Sequence, residues 1–464
     1  MNLSDTIAAI STPRGKGGVA MIRISGDEAI LVADRVFRAR SGKSLADTDS
    51  RRAVWGDILA CEPDGSRLVV DDGIATVFRA PASFTGEDTV ELCCHGGALI
   101  TQTVLEAVLC AGARPAEAGE FTRRAFVAGR IGLTEAEALA TLLEAKTAEQ
   151  LRLSRGGMEG RLSREAGEIY AELLRVVSDI YARVDFPEED LAGLSAAEIR
   201  GALDAVHGRL LKLSATYRTG KAINEGIRTV ICGRTNSGKS SLYNRIVGEE
   251  SAIVTDIEGT TRDVLESCVS FGGVTLNLVD TAGLRESDDV VEKIGIDRAR
   301  REVERAELIL AVFDISRQPT PDELELCSEL ERGEAKVIPI FNKSDIADGG
   351  AGGLPQWVVG SAIRISAKTG EGIDSLSDKI RQIFLDGELD LNRDAIVSNA
   401  RQYAALRGAA EFVQNALDAL DAGLPEDLCG SDIERAMSAV SELDGRAVSA
   451  DIVGEIFSHF CVGK

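Results

Sequence analysis

No apolar run in this 464-residue chain approaches 18 residues, so the sequence offers no transmembrane helix. The opening Met1-Asn2-Leu3-Ser4-Asp5 lacks the basic flank that begins a secretory signal. The nine cysteines are odd in number and include no C-x-x-C pair, which argues against a disulfide framework or structural zinc. The expected compartment is the cytoplasm, with no membrane partner. Positive charge is also short. A formal net charge of −23 is the reverse of the basic footprint of a nucleic-acid binder. An RNA partner would have to be met by a local patch or by a basic partner subunit. Arg123, Arg124 and Arg130 form one candidate patch. A second group, Arg152, Arg155, Arg161 and Arg164, is interleaved with Glu149, Glu159 and Glu165 and reads as a solvated helix face. Internal repeats of solenoid length are absent. What remains is a chain with 44% hydrophobic residues, long enough for about three domains with a core each.

The most informative segment is Gly233-Arg234-Thr235-Asn236-Ser237-Gly238-Lys239-Ser240. It follows the apolar run Ile227 to Cys232 and precedes the helix-like Ser241 to Ile246, the strand–loop–helix context of a phosphate-binding loop. Gly233 and Gly238 allow the backbone to bend so that successive N–H groups converge on one anion, and the helix N-terminus adds its dipole. Lys239 can reach β- and γ-phosphates, and the Ser240 hydroxyl can ligate Mg²⁺. Further along, Asp280-Thr281-Ala282-Gly283 closes the run Val274 to Val279: its carboxylate suits Mg²⁺ through water, and the Gly283 amide suits a γ-phosphate. Asn342-Lys343-Ser344-Asp345 closes Val337 to Phe341. The Asp345 carboxylate accepts two hydrogen bonds, matching the N1–H and N2–H₂ edge of guanine and opposing adenine's acceptor N1. Ser366-Ala367-Lys368 follows Ala362 to Ile365 and would hold the guanine O6; in Gly259-Thr260-Thr261-Arg262-Asp263 a threonine can sense the γ-phosphate and Mg²⁺. Any one of these reads equally as a turn between strands. Five in this order imply a GTP-binding domain.

Around that domain the pattern changes twice. The first 120 or so residues alternate strands (Val19 to Ile24, Gly73 to Phe78, Val90 to Cys94) with helices (Asp27 to Phe37, Ala98 to Leu109), an α+β pattern. From about Glu120 long amphipathic helices follow, with Thr134-Glu135-Ala136-Glu137 read as a capping box; Asp185 to Asp190 breaks the run, and helix resumes towards Tyr217. Beyond about Leu385 helix returns from Ala400 to Ala422, with a second capping box at Ser431-Asp432-Ile433-Glu434 and a last helix from Ser449 to Phe460. The expected architecture is an α/β and α multidomain chain: residues 1–122 α+β, 123–222 and 387–464 the two parts of one helical domain, and 223–386 an inserted Ras-like P-loop G domain. In Cys93-Cys94-His95-Gly96-Gly97, adjacent strand residues face opposite ways, which excludes a shared metal.

The wording of these motifs resembles one family. The phosphate loop continues into Ser241-Leu242, then Ile253-Val254-Thr255-Asp256-Ile257-Glu258-Gly259-Thr260-Thr261-Arg262-Asp263 and Asp280-Thr281-Ala282-Gly283-Leu284-Arg285-Glu286. With Gly17 to Gly26, Ser83-Phe84-Thr85-Gly86-Glu87-Asp88 and the ending Phe460-Cys461-Val462-Gly463-Lys464, this is similar to the MnmE (TrmE) family of tRNA-modification GTPases over essentially its full length.

The resemblance implies a homodimer whose N-terminal domain binds 5-formyltetrahydrofolate or a related folate. It also implies an FAD-containing MnmG-type partner in a heterotetramer. Together they would install a carboxymethylaminomethyl or aminomethyl group on C5 of the wobble uridine (U34) of certain tRNAs. In place of an arginine finger it implies K⁺, held by the Asn236 side chain, the Thr255 and Ile257 carbonyls and Thr260; Glu258 departs from the small residue expected in that loop. Mg²⁺ falls to Ser240 and Thr261, and Glu292 orients the attacking water while Lys239 serves the phosphates. Ser237, Gly238, Ser241, Asp256, Gly259, Thr281 and Ala282 complete the nucleotide contacts, with Asn342, Lys343, Asp345 and Ser366 to Lys368 around the base. For folate the matching positions are Arg23, Glu91 and Lys464, with Arg130 standing where lysine is common. Cys461 reads equally as a reactive thiol or as packing beside Phe457 and Phe460. The alternative function is a regulatory GTPase switch without one-carbon chemistry.

Overall fold

The computed structural model describes residues 5–13, 15–61, 66–185, 193–249, 266–279, 302–346, 352–385, 387, 389–458, 460 and 462–463. They fall into two compact units, Met1–Ala140 with Ser441–Lys464, and Thr141–Val440. Among the described residues no helix is long and apolar enough to cross a membrane.

The first unit is built on a seven-stranded sheet ordered β3-β4-β5-β6-β2-β1-β7. Its strands are β1 Ile7–Ile10, β2 Val19–Ser25, β3 Phe37–Ala39, β4 Arg52–Cys61, β5 Arg67–Phe78, β6 Thr89–His95 and β7 Arg114–Pro115. Pairing is antiparallel except between β1 and β7. Helices α1 (Ala29–Val36) and α2 (Ala98–Cys110) cover one face, burying Val32, Val36, Val104 and Val108 against Ile22, Ile24, Val90 and Leu92. Strand alternation then dictates the other face. Because Ile22, Ile24, Val90 and Leu92 point into this core, Arg23 and Glu91 point out of it, directly opposite each other in the β2–β6 register.

Helices α3 (Glu120–Val127) and α4 (Leu133–Glu144) follow, and the last helix, Ala450–Ser458, returns to them. Val453, Phe457 and Phe460 pack with Leu133 and Ala136. Val462 bridges Ala118, and the Ser11 hydroxyl donates to the Gly463 carbonyl at 2.9 Å. Gly463 has φ +99°, and a Cβ there would lie 2.3 Å from the Ile10 carbonyl oxygen, so only glycine lets the tail approach β1. Thr134 does not cap: it lies within α4, one residue past the helix start.

The second unit holds helices α5 (Ala148–Met158), α6 (Arg161–Asp185), α7 (Ala196–Ala215) and α8 (Tyr217–Asn224). Capping boxes open α5 at Thr147/Gln150 and α7 at Ser195/Glu198. The helix Ala400–Asp421 packs along α7, with Arg200 bound to Asp421 at 2.8 Å. Ser431 falls inside the helix Glu426–Asp444, so the second expected capping box is also absent.

Between these helical parts lies a six-stranded sheet, β13-β12-β11-β8-β10-β9. It comprises β8 Ile227–Cys232, β9 Glu266–Phe271, β10 Val274–Val279, β11 Leu308–Asp314, β12 Lys336–Asn342 and β13 Ile363–Arg364. All neighbours are parallel except β9, which is antiparallel to β10. Helices cover both faces. Leu242 and Ile246 of α9 (Lys239–Glu249) pack with Leu376 and Ile380 on one side, and Cys327, Leu330 and Val358 lie on the other. Central strand β11, Leu308-Ile309-Leu310-Ala311-Val312-Phe313, is accordingly buried throughout, as a parallel strand covered on both faces must be.

Candidate functional site

The loop between β8 and α9 sits at the C-terminal edge of the parallel strands, where open α/β sheets place ligands. Gly233 adopts φ +141° and a Cβ there would meet the Val312 carbonyl oxygen at 2.3 Å; Gly238 adopts φ +98° and a Cβ would lie 2.0 Å from Asn342 Nδ2. Both glycines are therefore required by backbone and by space. Helix α9 starts at Lys239 with no acidic residue in its first turn, so no first-turn carboxylate opposes an anion at its positive dipole end. Lys239 Nζ lies across the loop on the Arg234 carbonyl oxygen at 2.8 Å, and the Ser237 hydroxyl is buried with no hydrogen-bond partner among the described residues. Asn236, Ser240 and Ser241 are exposed on this loop and helix start.

Asn342 ties the loop to the end of β12. Its Nδ2 donates to the Ser237 carbonyl at 2.9 Å and its Oδ1 accepts from the Ala367 N–H at 3.0 Å, so one buried amide joins the phosphate loop to the Ser366-Ala367-Lys368 loop. Ser366 closes its own loop, donating through its N–H to the Glu371 carbonyl and accepting from Gly370 and Thr369. Lys343 Nζ contacts Asp314 Oδ2 at 2.5 Å. Burial would raise the Asp314 carboxyl, but Lys343 and the Ser316 hydroxyl and N–H hold it below its ordinary value. Asp345 is exposed at the same edge. Of the three described non-glycine residues with positive φ, Asn236 (+64°) and Lys343 (+69°) both fall here, the kind of strain that collects where a ligand dictates backbone shape. Cys232, just before the loop, is no nucleophile: burial pushes its thiol up to about 12.

Thr255, Asp256, Ile257, Glu258, Gly259, Thr260, Thr261, Asp280, Thr281, Ala282, Gly283 and Glu292 lie outside the described residues, as do Cys461 and Lys464.

On the outer face of the first sheet, Arg23 donates to Glu91 Oε1 through Nε at 3.0 Å and through NH2 at 2.8 Å. Its guanidinium lies over the Phe84 ring, 5.5 Å from the centroid, and over the Phe121 ring, 5.7 Å from the centroid. Arg130 is exposed, with its stem 3.4 Å from the Cβ position of Gly86, a glycine at φ +83°.

Beside this pair is a buried charge network that sequence reading missed. Arg124 binds Glu120 and Glu87; Glu120 also takes both terminal nitrogens of Arg114 and the Glu117 N–H; Ser25 donates to Glu87. Burial would push the Glu120 carboxyl up, yet Arg114, the Glu117 N–H and Arg124 hold it down at about 2. Arg124 is 2% exposed, so it is not part of a solvent-facing basic patch. The second arginine group is paired as its glutamates suggest, Arg155 and Arg161 both binding Glu159. The only signal for the network was the i, i+4 spacing of Glu120 and Arg124.

Cys94 points into the core with its thiol pushed up to about 11 by burial, while Cys93 lies on the opposite face, which removes a shared metal. His95 instead meets Asp71: ring Nδ1 to Oδ1 and N–H to Oδ2, both at 2.8 Å, while Asp72 accepts from the Trp55 indole. The Asp71, Asp72 and His95 ligand atoms lie within 4.8 Å of one another, but these cross-strand hydrogen bonds already account for their positions.

A doubly covered parallel sheet with a glycine-bounded loop opening a helix, and a second loop set that can read a purine edge, defines a P-loop nucleotide hydrolase. Comparison with known proteins narrows this. The family model described as "MnmE helical domain" matches residues 133–461, and that of "GTP-binding protein TrmE N-terminus" matches residues 6–130. The chain is 42% identical over 469 residues to the tRNA modification GTPase MnmE of Geobacillus kaustophilus, covering 99% of both. It is 37% identical over 466 residues to that of Clostridioides difficile, covering 100% of both, and 40% identical over 462 residues to that of Symbiobacterium thermophilum, covering 99% of both. The chain belongs to the MnmE family, and it is a GTP hydrolase.

Proposed function

We propose that this chain is a K⁺-dependent GTPase that works in tRNA modification. With an FAD-binding partner it would place a carboxymethylaminomethyl or aminomethyl group on C5 of wobble uridine. Full-length similarity to proteins named tRNA modification GTPases supports the tRNA part of this reading. The observation that carries the nucleotide part is the Asn342 amide, which holds the phosphate loop and the base-side loop at fixed spacing.

In this reading Lys239 and the α9 N-terminus bind the phosphates, and Asp345 and the 366–368 loop select guanine. Ser240 and Thr261 hold Mg²⁺, and Glu292 orients water. K⁺ on Asn236, Thr255, Ile257 and Thr260 would supply positive charge beside the γ-phosphate when two G domains of a homodimer meet. Oxygen donors fit hard cations, and the exposure of Asn236 leaves its amide available to one. Folate would occupy the outer sheet face. Glu91 there carries an acceptor for pterin N–H groups, Arg23 lies over the Phe84 and Phe121 rings, and Arg130 and Lys464 would serve the glutamate tail.

The test is GTP turnover in K⁺ against Na⁺ at two protein concentrations. The expected result is stimulation by K⁺ alone, steeper at the higher concentration. Equal turnover in the two salts removes the cation from the mechanism.

A further inference from the structure

The loop 366–368 is held from two sides. Inside, Asn342 accepts from the Ala367 N–H. Outside, Arg245 reaches over from α9: its NH2 donates to the Lys368 carbonyl oxygen at 2.9 Å and its Nε approaches the Ala367 carbonyl oxygen at 3.5 Å. Arg245 lies six residues beyond Lys239 on the same helix, about 9 Å along its axis. One rigid element thus touches the phosphate loop with its first turn and the base-side loop with its second.

The geometry points to Arg245 as a positioning residue that orients the 366–368 loop for the 6-oxo group of a guanine base. The mechanism is the planarity of the peptide. In a trans peptide the C=O of one residue and the N–H of the next point in opposite directions, so fixing one fixes the other. Arg245 on the Ala367 carbonyl therefore sets the direction of the Lys368 N–H. On the Lys368 carbonyl it sets the Thr369 N–H, which is found on the Ser366 hydroxyl at 3.2 Å. With the Ala367 N–H engaged by Asn342 and the Thr369 N–H by Ser366, the Lys368 N–H is the donor whose direction Arg245 governs. A guanidinium suits this task because its fork of donors can hold two carbonyls at once, whereas an ammonium is a single point. Preorganised donors cost no reordering when the ligand arrives.

This inference rests on the guanine reading of the loop, and the experiment separates the two. Full-length protein would be titrated with GDP, with inosine diphosphate (which lacks the 2-amino group that Asp345 would read), and with 2-aminopurine riboside diphosphate (which lacks the 6-oxo group and, with it, the N1–H that Asp345 would also read). Wild type should prefer GDP to the 2-aminopurine nucleotide; no such preference means the guanine reading of the loop itself is wrong, and the inference falls with it. Arg245→Ala should weaken GDP and inosine diphosphate by roughly five- to tenfold while changing the 2-aminopurine nucleotide by less than about twofold. The gap between the two 6-oxo nucleotides, which belongs to Asp345, should stay constant. Arg245→Lys should recover part of the loss, and with Arg245→Gln it serves in the same titration if Arg245→Ala does not fold. A uniform loss for all three nucleotides would mean a purely structural arginine, and no loss would mean an idle one; either overturns the inference.

Discussion

Asn342→Ala is the sharpest test of how the two nucleotide loops are held together. The side chain is 3% exposed and makes one bond to each loop, at 2.9 Å to the Ser237 carbonyl and 3.0 Å to the Ala367 N–H. Truncation leaves a carbonyl and an N–H facing an apolar methyl. Each buried orphan costs about 1–3 kcal/mol unless the loops move to find water. Moving is the easier course, because neither loop is a strand or helix at that point, so the loss should appear as disorder in both loops. Nucleotide binding must then reorder them, and an expected cost of about 1.4–2.8 kcal/mol corresponds to a 10- to 100-fold weaker GDP complex. Fluorescent-GDP titration measures this directly. Asn342→Asp sharpens it: the carboxylate can still accept from Ala367, but it sets an oxygen against the Ser237 carbonyl and should bind GDP no better than the alanine variant. If Asn342→Ala binds GDP within threefold of wild type, the bridge contributes nothing to the site and the reasoning fails.

Three further outcomes follow, one from the phosphate loop and two from the Glu120 network. Gly238→Ala places a Cβ 2.0 Å from Asn342 Nδ2 at a φ of +98°, and should weaken GDP binding at least about tenfold while hydrogen exchange in the first unit is unchanged. Arg124→Met strands Glu120 without one of its partners and should destabilise the first unit by about 3–5 kcal/mol, read as faster hydrogen exchange across Glu120–Val127. The same network has a pH signature. Glu120 is held down from 4.5 to about 2, so its contribution of about 3 kcal/mol is complete above roughly pH 4.5 and drains away as pH falls towards 2. Protection factors across α3, which divide out the acid slowing of intrinsic amide exchange, should fall in that acid window, less steeply in Arg124→Met.

The parts of this fold that were readable in advance are those where a local pattern has one physical cause. In β2 and β6 the alternation Ala20, Ile22, Ile24 and Val90, Leu92, Cys94 builds one core face, and both strands were expected nearly to the residue. By contrast β4 carries a buried Asp57, met by Arg38 and Arg40 from outside the strand, and β5 carries two adjacent aspartates, Asp71 and Asp72, in its middle. Period-two reasoning has no purchase there, since the pairing charges are remote in sequence. The capping pattern failed for a related reason. Thr134 and Ser431 have the right spacing to a glutamate, but each helix had already begun, at Leu133 and at Glu426. Working boxes at Thr147, Ser195 and Thr320 have the same local signature, so what precedes the hydroxyl decides whether it caps.

The phosphate loop was legible because its chemistry needs adjacent residues: two glycines for the turn, a lysine and a hydroxyl at the helix start. Asn342 was legible as a motif member, yet its role as a bridge was not, since Ser237 and Ala367 are 105 and 25 residues away. Arg124 shows the opposite error. Beside Arg123 in sequence it looks like half of a basic patch, but helical rotation turns it under α3 onto Glu120 and Glu87, where its charge is neutralised. Removing it leaves only the half-buried Arg123 and the exposed Arg130 of that trio. On a chain of net charge −23, those two side chains by themselves neutralise few phosphates. Under the proposed function, most of the phosphate contacts would fall to a partner protein. Binding of tRNA to this chain alone should accordingly be weak and only shallowly salt-dependent, and should become steep in salt once the partner is added.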